Sequence, residues 1–363
     1  MKIVIWTGPA WETWGPDSLL AGGIGGSETA AIHMAAELAR AGHEVEVIGQ
    51  VIPCLRDGVE YLDYRPYLSA GAAPIECDVI VISRHLEALR ILRPRAQLSC
   101  LWVHDIHVGD DWQGLMGKYD LILCLSKYAR KVLLNYYMEV PRDKFVLTRN
   151  GIDPRLFLRD PKKEGCKIVY SSSPDRGLDR LLDYWPVIRT IRPDAELHVY
   201  YGFDNWEKMS ASPKDKSSLA LIAFFKERLA RMESQGVFSH GRVGQGVLAR
   251  AFLSASMWLY PTNFHETSCI TAMEAQAAGL HIVTSRLAAL TETVRYGRLV
   301  EPPNTRDGYK EEFLGHVRAL LEDDEKLPAR VCDHAREWAL RHLSWTKVAQ
   351  QWEEMFVERL GGK

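Results

Sequence analysis

Short apolar runs alternate along this chain with longer stretches in which apolar positions fall three or four residues apart. The runs are "KIVIW" (2–6), "EVEVIG" (44–49), "DVIVIS" (78–83), "SCLWVH" (99–104), "DLILCLS" (120–126) and "FVLTR" (145–149) in the first half. In the second half they are "KIVYSS" (167–172), "ELHVYYG" (196–202), "MWLYP" (257–261) and "HIVTS" (281–285). Strand-length runs alternating with amphipathic helical segments predict parallel sheets covered by helices on both faces, an α/β fold. The stretch "NGIDPRLFLRDPKKEGCK" (150–167), rich in Pro, Gly and charge, separates the two sets and reads as a linker. Each half has the length and strand count of a doubly wound domain. The expected organisation is therefore a Rossmann-like domain over 1–155, a second over 160–341, and a terminal helix over 342–363. In that helix Leu343, Val348, Trp352 and Phe356 recur at helical spacing and require an apolar surface to cover.

Composition narrows the class. A chain of 363 residues, 47% hydrophobic and 25% charged, can bury a large core and exceeds the usual single-domain length. Lys and Arg number 45 against 47 Asp and Glu, and a net charge of -2 argues against holding nucleic acid by bulk phosphate neutralisation. The cysteines (54, 77, 100, 124, 166, 269, 332) form no C-x-x-C pair and read as reduced thiols of a cytosolic core. No apolar window is long enough to span a bilayer and "MKIVIWTG" lacks a signal-peptide core. The expectation is a cytoplasmic protein without a spanning segment.

Doubly wound sheets bind ligands outside the carboxyl ends of their strands, so the strand-to-helix loops are where chemistry is sought. "GGIGGSE" places Gly22, Gly23, Gly25 and Gly26 ahead of Ser27, Glu28 and a helix. Glycines let backbone approach a ligand, and a helix start favours an anion; a turn that merely caps the helix through Ser27 is the alternative. In "VYSSSPDRGLDRLLDYW" Arg176 and Gly177 precede a helix carrying Leu178, Leu181, Leu182 and Trp185 on one face. An arginine beside the positive end of a helix is in electrostatic conflict that a bound anion removes, unless water alone solvates it. "HGRVGQGVLARAF" (240–252) supplies a third such turn, with Arg242 and Val243. In "NFHETSCITAMEAQAAGLHIVTS" (263–285) Glu266 lies in the loop after a strand and Glu274 in a helix ended by Gly279. A carboxylate near a strand's carboxyl end suits a ribose diol, and the N–H groups of Thr267, Ser268, Cys269 and Ile270 suit phosphate or sugar. In the plainer alternative Glu274 is a solvated helix residue. Ala272, Met273, Ala275, Ala277 and Ala278 around it imply instead a helix packed on several sides, where a carboxylate needs a partner.

"GGIGGSE", "VHD" (103–105), "NGID" (150–153), "RGLDRLL" (176–182), "ETSCITAMEAQAAG" with its Glu-x7-Glu spacing and "SWTKVAQQWEEMF" run in one order over nearly the whole chain. In these it resembles the retaining nucleotide-sugar glycosyltransferases of family 4, which have the two-Rossmann-domain GT-B fold. The resemblance implies that Glu274 holds the nucleotide ribose and that Glu266 and the backbone of 267–270 meet the donor sugar and phosphate. It implies that Gly25 and Gly26 face the pyrophosphate, that His104 sits beside the transferred sugar, that Asn150 belongs to the donor site, and that the tail helix returns to the first domain. Arg176 falls where the family usually has Lys before Gly. Two departures stand out. The family's Arg six residues earlier is Tyr170 here, followed by Ser171–Ser173, so that either Arg242 or Arg149 supplies a second cation or the serine hydroxyls serve in its place; and the usual "EGFG" after the first Glu is "ETSC".

The function implied is retaining transfer of a sugar from a nucleoside diphosphate sugar, UDP- or GDP-linked, to a hydroxyl of a saccharide in a cell-surface polysaccharide or glycoconjugate pathway. His104, Arg176 and Glu266 are the catalytic candidates, in a front-face substitution in which the leaving phosphate takes the acceptor proton. No metal or other cofactor is expected, nor a nucleic-acid partner; peripheral contact with the inner membrane face is compatible with it. Rival readings are an epimerase on the same fold, a silent sugar-binding protein, and a metal-dependent hydrolase built on His104, Asp105, His107, Asp110 and Asp111 of "HDIHVGDD".

Overall fold

The computed structural model describes residues 1–106, 113–203, 206–207, 216–322 and 329–361. The chain divides into two compact units: Met1–Leu19 with Ile24–Asp153 and Leu343–Lys363, and Leu20–Gly23 with Pro154–His342.

The first unit is built on β1 (Lys2–Gly8), β2 (Glu44–Gly49), β3 (Cys54–Arg56), β4 (Val59–Asp63), β5 (Glu76–Ser83), β6 (Arg95–Val103), β7 (Leu121–Cys124) and β8 (Phe145–Leu147). They lie in the order β3-β4-β2-β1-β5-β6-β7-β8. Every pair is parallel except β3 with β4. The central strands are continuous apolar runs because both faces are covered: Ile3, Val4 and Ile5 of β1 and Val79–Ile82 of β5 are fully buried. Val4, Trp6, Ile80, Ile82 and Leu101 join Leu86, Met116 and Leu133 in one core cluster. The apolar pattern does not foretell β3 or β4. Cys54, Leu55 and Arg56 are all exposed, so this edge ribbon has no core-facing position to mark it.

The C-terminal helix Trp345–Gly361 packs on the helix Gly26–Arg40 and on β6. Its residues Val348, Trp352 and Phe356, with Leu343 just before it, are buried, as the spacing required. Trp352 Nε1 donates to Thr148 Oγ1 at 2.7 Å and its ring meets Trp102 edge-on at 4.8 Å. The glycine of "NGID" is explained here. A Cβ on Gly151 would stand 2.7 Å from the Trp345 backbone nitrogen, where Ile152 N donates to Leu343 O at 2.8 Å.

The second unit carries β9 (Lys167–Tyr170), β10 (Glu196–Val199), β11 (Val237–Ser239), β12 (Met257–Tyr260), β13 (His281–Ser285) and β14 (Arg298–Val300), ordered β11-β10-β9-β12-β13-β14 and all parallel. The helix Leu178–Ile191 buries Leu178, Leu181, Leu182 and Trp185 completely. The helix Ile270–Ala277 is covered by Ala329–His342, an element the apolar pattern had not marked. The 150–167 stretch differs from a loose linker: Pro154–Phe157 forms a 3-10 turn and Phe157 is fully buried. Cys54 is exposed, and Cys77 and Cys332 are half-buried, so the expectation of core thiols holds for Cys100, Cys124, Cys166 and Cys269. No helix among the described residues is long and apolar enough to cross a membrane.

Candidate functional site

In a doubly wound sheet the crevice opens where the strand order reverses, because the connections on either side of that point leave toward opposite faces. In the second unit that point lies between β9 and β12, adjacent in space although β10 and β11 intervene in sequence. The loops leaving these two strands carry Arg176 and Glu266.

The fold interlocks those loops. After Tyr170 the chain passes through Ser171–Ser173 and the 3-10 turn Pro174–Arg176 to Gly177, whose φ of +119° is open only to glycine. A Cβ there would stand 2.3 Å from the Pro261 carbonyl oxygen. Only glycine lets the Arg176 loop pass so close to the Pro261 loop. The latter is braced by Asn304, whose Nδ2 donates to Pro261 O at 2.8 Å, and by Ser285 Oγ, which donates to Thr262 O.

On that frame Arg176 Nη1 lies 3.3 Å from Glu266 Oε1. Tyr260 Oη donates to the same oxygen at 2.8 Å and stands 3.2 Å from Ser172 Oγ. The guanidinium also lies over the ring of Phe264, 3.7 Å from its centroid. Burial raises the Glu266 carboxyl above its ordinary range even though Arg176 and Tyr260 pull it down. Burial lowers Arg176, but Glu266, Tyr260, Asp175 and Cys269 together more than offset it, and the guanidinium is raised above its ordinary value. The result is a half-exposed cation held in place by one buried acid and one aromatic face, with its charge turned to the loop.

Glu274 lies in the helix Ile270–Ala277 and is 8% exposed. Burial alone pushes its carboxyl up to about 8, and no ion pair among the described residues offsets that. A solvated helix glutamate would not behave so. Cys269 is the N-cap of this helix and caps it with no side-chain hydrogen bond. Burial pushes its thiol up to about 12, so it is a neutral, packed group. Thr267 and Ser268 are half-buried beside it, and Ile270 opens the helix. The start of this helix is the end at which backbone N–H groups and the helix dipole favour an anion.

Arg242 and Val243 follow β11. Arg242 Nη2 donates to Gly23 O at 2.7 Å, both residues falling in the second unit. The cation proposed as a substitute for the family's missing arginine thus already grips a backbone carbonyl. Arg149, the other substitute, is lowered from its ordinary value by burial.

The first unit holds the rest. Gly25, not Ser27, is the N-cap of Gly26–Arg40. Ser27 Oγ donates to Glu28 Oε2 at 3.0 Å, and a Cβ on Gly25 would strike that carboxylate. The reading in which Ser27 caps the helix is therefore incorrect: the short glutamate folds back over the glycine and places an acid at the helix start, where the dipole favours it. His104, just after β6, tilts against Trp102 at 4.5 Å. Burial pushes its imidazole down to about 3, outweighing Asp105, so it is neutral at physiological pH. Asn150 is buried. Of the hydrolase residues, Asp105 Oδ2 pairs with Arg84 Nε at 3.0 Å, while His107, Asp110 and Asp111 lie outside the described residues. Among the described residues no three His, Cys, Asp or Glu side chains are grouped to hold a metal.

Sequence reasoning missed Tyr260, Phe264 and Asn304. Tyr260 and Phe264 contact Glu266 and Arg176, and Asn304 braces the Pro261 carbonyl of the loop between them. The only signal available was their place beside Pro261 and in a Pro-rich turn.

Comparison with known proteins bears on the same segments. Residues 167–323 match the model of the family described as glycosyl transferases group 1. A lipopolysaccharide 1,2-N-acetylglucosaminetransferase of Salmonella typhimurium is 22% identical over 295 residues, 77% of this chain and 72% of its own. A mannosylfructose-phosphate synthase of Agrobacterium fabrum is 26% identical over 179 residues, 49% of this chain and 37% of its own. The chain thus spans little more than a third of that second relative. Among solved structures, a sucrose-phosphate synthase from Thermosynechococcus elongatus superposes over 100% of both chains with a TM-score of 0.75 at 13% identity. Anabaena HepE in complex with UDP-glucose matches over 99% of this chain and 100% of its own, with a TM-score of 0.70 at 15% identity. WaaG, a glycosyltransferase involved in lipopolysaccharide biosynthesis, covers 98% of this chain and 99% of its own with a TM-score of 0.64 at 13% identity. These likenesses show the fold: two Rossmann-like parallel-sheet units of the GT-B kind.

Proposed function

We propose that this chain, a glycosyltransferase of the group 1 kind, transfers a sugar from a nucleoside diphosphate sugar to a saccharide hydroxyl, with retention and without a metal. The observation that carries the reading is the Arg176–Glu266 pair at the β9/β12 switch point, with the N-terminal turn of the helix Ile270–Ala277 and its buried Glu274 on the same loop and helix as Glu266. A diphosphate needs positive charge and N–H donors; a pentose diol needs a buried acceptor. The second unit supplies Arg176, the amides of 267–270 and Glu274 for those tasks. UDP or GDP is the donor class proposed, and a structural neighbour with bound UDP-glucose supports the first. The relatives named for lipopolysaccharide support an acceptor in polysaccharide or glycoconjugate assembly.

Arg176 has the charge to stabilise the leaving diphosphate. When the sugar–oxygen bond to the phosphate breaks, the electron pair goes to that oxygen, which takes the acceptor hydroxyl's proton while the acceptor oxygen bonds the same face of the sugar. Glu266 is a positioning group for Arg176 and a hydrogen-bond acceptor for the sugar. No carboxylate nucleophile is required by this scheme, in contrast to paired-carboxylate glycoside hydrolysis.

Incubation with UDP-, GDP- and ADP-sugars and a panel of saccharides, scored by nucleotide release and product NMR, tests it. The expected outcome is nucleotide release only with a cognate donor and acceptor, unchanged in excess EDTA, and an axial-to-axial product. Arg176→Ala should lower kcat/KM by about 100-fold or more, with partial rescue by Arg176→Lys. A variant within about threefold of the parent removes Arg176 from the reaction. Isomerised donor without acceptor would favour the epimerase instead.

A further inference from the structure

The first unit's sheet reverses order between β1 and β5, and at the carboxyl ends of those strands and of β6 lies a cavity of about 430 Å³. Its inner wall is Leu86, Leu101, Val103, Met116 and Leu133, each less than a tenth exposed. A largely apolar cleft of this size, open to solvent on one side and lying where a doubly wound sheet receives its ligands, has the character of a small-molecule pocket. Its rim is polar on one side. Arg84 bonds Asp105 Oδ2 through Nε at 3.0 Å and Ser27 Oγ through Nη1 at 3.3 Å, and its backbone is left-handed, with φ of +66°. Such strain in a non-glycine residue collects at ligand sites. Trp11, 70% exposed, stands at the mouth.

The charges at the rim are already paired with each other; Thr7, Ser83, His85 and His104 also line the cavity, but the side chains of Leu86, Leu101, Val103, Met116 and Leu133 offer no hydrogen bond. A bare sugar pushed to the floor would leave its hydroxyls unsatisfied, whereas each methylene buried there strengthens binding by about fourfold. We infer that this cavity takes the apolar part of an amphiphilic acceptor, an alkyl or aryl group joined to a hydroxyl-bearing head that stays at the Ser27, Arg84 and Asp105 rim. This rests on the transferase reading, whose acceptor class it narrows.

The test compares methyl, octyl and p-nitrophenyl β-D-glucosides, the octyl compound below its micellar concentration, binding to the full chain by calorimetry. Octyl or p-nitrophenyl glucoside should bind at least about 30-fold more tightly than methyl glucoside, the alkyl and aryl arms showing which group fits. Leu133→Phe, which fills the hollow, should abolish that advantage while leaving the thermal shift produced by UDP unchanged. Because that variant can fail to fold, a diazirine-bearing octyl glucoside is also photolysed on the parent chain. Labelled peptides should contain Leu86, Leu101–Val103 or Leu133. Equal affinity for the three glucosides, an advantage undiminished in folded Leu133→Phe, or labelling confined elsewhere overturns the inference. Absence of any UDP shift in the parent would instead strike at the donor reading, and the glucoside comparison would still decide this one.

Discussion

Glu274 shows how much one residue can reveal. It lies in a helix whose Ala272, Met273, Ala275 and Ala277 are all buried, and burial pushes its carboxyl up from an ordinary 4.5 to about 8. The folded chain therefore binds this proton more tightly than the unfolded chain does. That favours folding fully below about pH 4 and is lost as pH rises through the interval to about 8. Replacing it with an amide removes the loss. Glu274→Gln should stabilise the ligand-free protein at pH 7 by on the order of 1 to 3 kcal/mol, flatten the stability profile between pH 5 and 8, and weaken UDP binding at least about tenfold. Denaturant midpoints at pH 5 and pH 8, with calorimetry for UDP, read all three. A Gln variant that is less stable than the parent at pH 8 would show that the carboxylate has a partner in the folded state. A residue costly to stability and placed at a switch point is the pattern of a ligand group, since function and stability are then opposed.

At the scale of elements, the site depends on two strand-to-helix loops that pass within contact distance at Gly177 and Pro261. Both the left-handed φ and the 2.3 Å approach exclude a side chain. Gly177→Ala should cost at least about 2 kcal/mol and lower Tm by roughly 4 to 8 °C, with UDP affinity falling because Arg176 shifts with its loop. Scanning calorimetry with and without UDP measures both. An unchanged Tm would mean that the loops move apart freely. The helix that carries Glu274 is anchored in the same spirit. Gln276 Nε2 donates to Thr293 O at 2.8 Å, and its Oε1 accepts from Arg295 N at 2.9 Å, so a fully buried amide is satisfied on both sides. The Glu-x7-Glu spacing gives no hint of Gln276. Nothing in "MEAQAAG" separates it from a solvated glutamine until the 293–296 loop is laid against it.

For the molecule as a whole, Arg176, Glu266, the 267–270 amides and Glu274 of the proposed donor site all belong to the second unit. UDP should therefore slow amide hydrogen exchange in 172–177 and 267–274; protection confined to 1–153 would overturn the assignment. What the sequence determined by itself is the α/β class and the two sets of parallel strands, because a strand buried on both faces must be continuously apolar and a covering helix must show one apolar stripe. It also placed Gly177 before its helix, the buried stripe of the last helix, and the two glutamates at a loop and a helix. Those are local properties, set by neighbours a few residues away. The edge ribbon β3 and the folding of Glu28 over Gly25 escaped it, since an exposed strand has no core-facing position and a side chain's fold-back leaves no mark on the apolar pattern. Only the tertiary structure decided that Arg176 meets Glu266 across 90 positions, that Tyr260 and Phe264 hold the pair, and that five core residues of the first unit surround a void. These follow from strand order: β12 inserts beside β9 and β5 beside β1, and which loops then converge depends on the whole sheet rather than on any stretch of it.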